Sequence, residues 1–341
     1  MRSTLRDPNG GVLFSQRRKV KARRSKHLAW QTTYTVNRPQ LWSAETPNVY
    51  QLTIEILDKK SRLLEAISQD IGFRQVKIEE GQLRINGELV QIQGVELNKH
   101  PTPNKEVGPL EAMKTEIRSM KAHHVNAVRH LPRDPRWYAL CTQMGLYVID
   151  EFDLEGLNLG TNGKVEPASR LNHAATVVRE HRNHPSIIAW SLGHEKETLD
   201  LMEQLLSSVK TLDPLRPIHY VRIEDEEVPL LGYDWVSSGS FDLNRTTRFS
   251  PAIAWSLGSF KGSFQRNWTQ LDSVDGFQGA FIGNWKAIDP SDLLAAKYLW
   301  QPVDFIWSPD DPAQLILFNQ QHFAELTGGE LRWKVLENGL V

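Results

Sequence analysis

Apolar and polar positions change period along the chain, and the changes divide it into three parts. From residue 1 to about 70 the pattern is that of β structure. Tyr50-Gln-Leu-Thr-Ile-Glu-Ile-Leu57 alternates apolar with polar side chains, as a half-buried strand does. Asp7-Pro-Asn-Gly-Gly11 is a turn signal that splits earlier strands. Asn86-Gly87 predicts a hairpin turn between Leu83-Arg-Ile85 and Leu89-Val-Gln-Ile-Gln-Gly94.

From there short apolar runs alternate with helical periods, the signature of a parallel α/β sheet. Val90 to Val95 is the first run. Leu110, Met113, Ile117, Met120 and His124 share one face of a helix. Asn126-Ala-Val-Arg-His130 and Leu146-Tyr-Val-Ile-Asp-Glu-Phe152 predict strands two and three. A helix at Ala174 to His181 leads to a fourth strand at 186–192, and Met202, Leu205, Leu206, Val209 and Leu212 line the next helix. Ile218-His-Tyr-Val221, Trp235-Val-Ser-Ser238, Ala252-Ile-Ala-Trp255 and Gly279-Ala-Phe-Ile282 complete a set of eight, which suits a compact (β/α)8 TIM barrel.

Composition narrows the class. The 341 residues suffice for two or three domains, and 40% hydrophobic with 24% charged residues is ordinary for a globular protein. A formal net charge of −1 steers toward neither nucleic acid nor membrane. No apolar run approaches membrane-spanning length, and the N-terminal residues carry no apolar signal segment. The single cysteine, Cys141, rules out an intrachain disulfide, fits a reducing compartment and so the cytoplasm, and reads as a buried structural thiol. The basic run Arg17-Arg-Lys-Val-Lys-Ala-Arg-Arg-Ser-Lys26 reads first as a solvated strand edge, with an anionic-partner patch as the alternative.

The chemistry concentrates at one place. Asn183-His-Pro-Ser-Ile-Ile-Ala-Trp-Ser-Leu-Gly-His-Glu195 is a buried strand that delivers a carboxylate at its C-terminal tip, where α/β barrels carry catalytic groups. This stretch resembles the proton-donor motif of glycoside hydrolase family 2, close to the bacterial β-galactosidases, with His194 where the family has Asn. Ile71-Gly-Phe-Arg-Gln-Val76 resembles the family's entry to the barrel. The resemblance implies a partial immunoglobulin-like β-sandwich at 1–70, a TIM-barrel catalytic-type domain at 71–297, and the start of a C-terminal β-sandwich at 298–341. It covers only the middle of the family's architecture.

The same resemblance assigns roles position by position. Glu195 is the proton donor. Ser256, in Pro251-Ala-Ile-Ala-Trp-Ser256, stands where the family has its nucleophilic Glu, and no Asp or Glu occurs between Asp242 and Asp272. Arg129, His130 and His194 are the expected substrate-binding residues. Glu155 and Glu195 are the expected Mg2+ ligands, at a site weakened because Leu157 replaces a ligating His. Gly283 replaces a substrate-facing Trp, and the loop after Trp285 is short. A retaining glycosidase needs two carboxyl groups about 5 Å apart, and a Ser hydroxyl cannot replace the negative charge of one. The expectation is a β-galactosidase relative that is impaired or inactive. The alternatives are an active glycosidase with a relocated carboxylate, Asp234 or Asp242, and a non-catalytic carbohydrate-binding or protein-interaction subunit. Its expected partners are a β-galactoside or related sugar, and a second copy or a full-length homologue.

Overall fold

A computed structural model describes residues 1–20, 31–97, 108–130, 134–154, 167–193, 199–222, 234–238, 252–254, 264–273, 277–311 and 314–327. The chain opens with strands β1 (Arg2–Arg6), β2 (Val12–Arg17), β3 (Tyr50–Leu57) and β4 (Leu63–Ile71), an antiparallel sheet in the order β2-β1-β3-β4. Asp7 closes the β1–β2 turn, its Oδ1 accepting from the amides of Asn9 and Gly11 at 2.9 and 2.8 Å. Arg17 ends β2 exposed, as the edge reading of the basic run expects, while 21–30 lie outside the described residues.

A second small sheet follows: β5 (Val76–Glu79), β6 (Gln82–Ile85) and β7 (Glu88–Leu89). Asn86 and Gly87 take φ of 54° and 90°, the left-handed pair that a tight hairpin turn requires. The hairpin's second arm is shorter than the sequence pattern predicts, because Ile92 onward belongs to the barrel instead.

The barrel strands are β8 (Ile92–Leu97), β9 (Ala127–His130), β10 (Tyr147–Glu151), β11 (Ile187–Ser191), β12 (Ile218–Arg222), β13 (Trp235–Ser238), β14 (Ala252–Ala254) and β15 (Phe277–Asn284). All are parallel, and β15 pairs with β8 to close the ring. The helices between them are α1 (Pro109–Ala122), α2 (Pro135–Met144), α3 (Pro167–His181), α4 (Leu199–Leu212), α5 (Phe264–Asp272) and, after β15, α6 (Pro290–Leu299). The chain then forms the hairpin β16 (Val303–Trp307) and β17 (Leu315–Asn319). The eight strands expected from the apolar runs are therefore present, each within about two residues of its predicted place. Among the described residues no helix is long and apolar enough to cross a membrane.

Two cores hold the barrel. Ile92, Ala127, Ile149, Ala189, Val221 and Phe281 point inward and pack on Val76, Leu83 and Ile85, so the small sheet plugs the N-terminal end. Gln278 locks that plug: its Oε1 accepts from the Leu83 amide at 2.7 Å, and its Nε2 donates to the Leu83 carbonyl at 3.1 Å. The outer core lies between strands and helices. Met113, Ile117 and Met120 of α1 enter it, and so does Cys141, which is buried as expected. Leu110 is 38% exposed, and His124 lies beyond the helix end at φ 61°, so the predicted face shrinks to its three middle members.

Candidate active site

The strand that leads to Glu195 is gripped at its root. Arg216 donates from Nε to the Ile187 carbonyl at 2.7 Å, and from Nη2 to the carbonyls of Arg182 at 2.7 Å and His184 at 3.1 Å. Arg74 donates to the carbonyls of Pro185 and Ile187. Burial lowers the Arg74 guanidinium to a pKa of about 9, with nearby Arg216 adding to the effect, so it stays charged at neutral pH. Trp190 donates its indole N–H to Asp213 at 3.0 Å. Gly72 lies where a Cβ would collide with the Pro185 ring. The Gly-Phe-Arg and Asn-His-Pro motifs that the sequence analysis singled out are thus one contact. Together they fix where β11 starts and so where its tip ends.

At the tip, Leu192 and Gly193 remain tied to β12: the Leu192 amide donates to the His219 carbonyl and the Val221 amide to the Gly193 carbonyl, each at 2.9 Å. Gly193 turns the chain at φ 76°. His194 and Glu195 follow immediately and, like Glu155 and Ser256, lie outside the described residues.

Around this tip five adjacent strands contribute one polar belt. Glu96 lies one residue before the end of β8, Arg129 lies on β9, Glu151 ends β10, Ser191 ends β11 and His219 lies on β12. Arg129 pairs with Glu151 through Nη2 and lies 3.5 Å from Glu96 through Nη1. Ser191 Oγ donates to Glu151 at 3.4 Å, accepts from the Gly193 amide at 3.2 Å, and lies 3.0 Å from His219 Nδ1. A carboxylate only accepts, so Ser191 gives its proton to Glu151, and His219 must carry its proton on Nδ1. Burial holds the His219 pKa well below its ordinary value, and the Arg129 charge adds to this, so the imidazole is neutral. Arg129 is lowered to about 10 by burial and raised back in part by Glu96; it too stays charged near neutral pH. The belt sets one fixed cation between two carboxylates in the barrel mouth. Such a preorganised set can hold sugar hydroxyls, because its dipoles need no rearrangement.

Arg129 therefore reaches the mouth. His130 does not join it. Side chains alternate along a strand, so the neighbour of an inward Arg faces out. His130 is 2% exposed in the helical layer, and its Nε2 accepts from the Trp137 indole at 3.0 Å. It joins a buried cluster in which Asp150 accepts from Tyr138 at 2.7 Å and pairs with His181 Nδ1 at 2.8 Å. Burial pushes the Asp150 carboxyl up against these partners. Sequence reasoning passed over Glu151, Ser191 and His219. The available signal was parity: Glu151 shares the face of inward Ile149, while Asp150 does not.

His184 closes this cluster, stacked on Tyr138 at 5.2 Å. Burial first, then the charges of His181 and Arg216, lower it to about 4. Its folded pKa lies below the ordinary histidine value near 6.5, so the unfolded chain binds more protons between those limits. Stability contributed here is present above pH about 6.5 and is lost as pH falls toward about 4. Asp150 acts with the opposite sign, so the comparison must be differential. Urea midpoints of His184→Gln are expected to fall less than those of the parent between pH 6.5 and 4. Equal slopes would mean His184 is solvated.

Two family descriptions match the chain: Glycosyl hydrolases family 2 over residues 2–74, and Glycosyl hydrolases family 2, TIM barrel domain, over residues 76–312. The chain is 41% identical over 201 residues to a β-galactosidase of Enterobacter cloacae, covering 55% of this chain and 19% of that protein. It is 40% identical over 198 residues to a β-galactosidase of Pectobacterium atrosepticum, covering 54% and 18%. The chain spans about a fifth of the length of these relatives. Among solved structures, a β-glucuronidase of Bacteroides uniformis superposes with a TM-score of 0.71 at 18% identity, over 89% of this chain and 47% of that one. A Ruminococcus gnavus β-glucuronidase bound to D-glucuronic acid gives 0.67 at 18% identity, over 88% and 62%. At such identities the superpositions establish the fold.

Proposed function

The chain belongs to glycosyl hydrolase family 2, and on that premise we propose that it keeps the scaffold and proton donor of a β-galactosidase-type enzyme while hydrolysing glycosides poorly or not at all. One observation carries this reading: where the resemblance puts the nucleophilic Glu the chain has Ser256, and no Asp or Glu lies between Asp242 and Asp272. Glu195 alone can protonate a leaving oxygen, but nothing at that position attacks the anomeric carbon or offsets its developing charge. Losing such a group raises the barrier by several kcal/mol, which is orders of magnitude in rate.

Asp234 does not supply the missing carboxylate. It directly precedes β13 and accepts from Lys210 Nζ at 2.5 Å and the Ile218 amide at 2.8 Å, so it lies at the N-terminal end, opposite the strand tips. Asp242 lies outside the described residues. Active hydrolysis stands as a second reading because Glu151 offers a carboxylate on the strand beside the one that leads to Glu195. Against it, Arg129 and Ser191 already engage that carboxylate. Mg2+ would be held by Glu155 and Glu195. Two hard oxygen donors suit that ion only with several waters retained, and Leu157 adds none. When bound, it would lend positive charge to the mouth.

The test is hydrolysis of an aryl β-galactoside by the purified chain with Mg2+, beside Glu195→Gln and Glu151→Gln. Turnover no greater than in Glu195→Gln is expected. Turnover that both substitutions remove would establish the second reading.

A further inference from the structure

At the opposite end of the barrel from the mouth lies a cavity of about 630 Å3. Its walls come from the starts of β8 and β15, the end of α1, the segment after α6 and the turn after β17. That volume is in the range of small-molecule sites.

The charged groups on its wall are already engaged. Glu45 accepts from the amides of His322 at 3.0 Å and Phe323 at 2.7 Å, which ties the last hairpin to the barrel. Lys121 donates to the carbonyls of Ala44 at 3.2 Å and Gly145 at 2.7 Å. Of the carboxamides, Gln82, Gln91, Asn126 and Gln278 are hydrogen-bonded within the protein and four others are not. Among the described residues the side chains of Gln93, Gln301, Gln320 and Gln321 make no hydrogen bond, and all four line the cavity. Trp300, also on the wall, is 1% exposed, and its indole Nε1 has no hydrogen-bond partner among the described residues. Phe277 adds an aromatic surface to the same wall.

From this chemistry we propose that the cavity is a second sugar site, separate from the barrel mouth, that takes a neutral hexose or a disaccharide. A carboxamide presents a donor and an acceptor side by side, which matches vicinal hydroxyls that each give and accept. The Phe277 ring contributes apolar area for a sugar face. Glu45 and Lys121 carry opposite charges on the same wall, so these two give no net charge that favours an anion. The inference does not depend on whether the mouth is catalytic.

Galactose and lactose titrated into the full chain test it, followed by saturation-transfer NMR and by the indole cross-peak that Trp300→Phe removes. One saturable site is expected, with that cross-peak shifting. Gln301→Ala and Gln321→Ala should each weaken binding about fivefold, the size of one neutral hydrogen bond. Glu195→Gln should leave it unchanged. The two glutamines sit in partly exposed segments, so their variants report even if Trp300→Phe does not fold. Absence of saturable binding overturns the proposal. So does binding that Glu195→Gln removes and the glutamine changes spare, or a glucuronate that binds more tightly than galactose.

Discussion

Arg129→Ala is expected to destabilise the chain by about 3–5 kcal/mol, the cost of removing one partner from a buried ion pair. The reason lies in what remains. Side chains of Arg129, Glu151 and Glu96 are only 8%, 13% and 10% exposed. Without the guanidinium, the Glu96 and Glu151 carboxylates lose the cation that they share. Each then favours its protonated form, so the folded variant takes up protons more readily than its unfolded chain. The difference from the parent in urea unfolding should therefore shrink as pH falls below neutral. Arg129→Lys keeps the charge but loses the fork that spans both acids, and should lie between the two. A loss below about 1 kcal/mol for Arg129→Ala would match an exposed pair and would count against the belt.

Much of this architecture was legible in the chain because buried parallel strands read as short apolar runs, and the helices between them carry a clear period. Asn86-Gly87 announced its own backbone angles. Val303–Trp307 was not anticipated; its Asp304 interrupts the apolar run, and the strand exists by pairing with Leu315–Asn319. His130 was placed in the mouth by nearness to Arg129 in sequence, where strand alternation sends it to the other side. The polar belt was invisible for a different reason. Glu96, Arg129, Glu151, Ser191 and His219 are spread over more than a hundred residues, and only closure of the ring brings them into one layer. The Arg74 grip on Pro185 and Ile187 is equally non-local. Scaffold and chemistry are thus separable here: the root and tip of β11 are held in detail, while the position proposed for the second carboxylate holds Ser256.

The ring closes at one seam, and Gly279→Ala should break it. Gly279 pairs with Ile92 where β15 meets β8, at φ 102°. A Cβ there would overlap the backbone carbonyl and amide of Ile92. Backbone atoms cannot step aside as a flexible side chain can, and moving them would open the last strand pair of the barrel. The expected loss exceeds about 4 kcal/mol, in the range reserved for severe core or backbone conflicts, or the variant fails to fold. Gly87→Ala is the matched control. Gly87 also has a positive φ, 90°, but nothing lies within 4 Å of its added Cβ. It should lose only the cost of a left-handed residue, about 1–2 kcal/mol. Urea unfolding followed by circular dichroism compares the two directly. If Gly279→Ala unfolds no earlier than Gly87→Ala, β15 does not meet β8 in this register, and the closure of the ring would have to be redrawn.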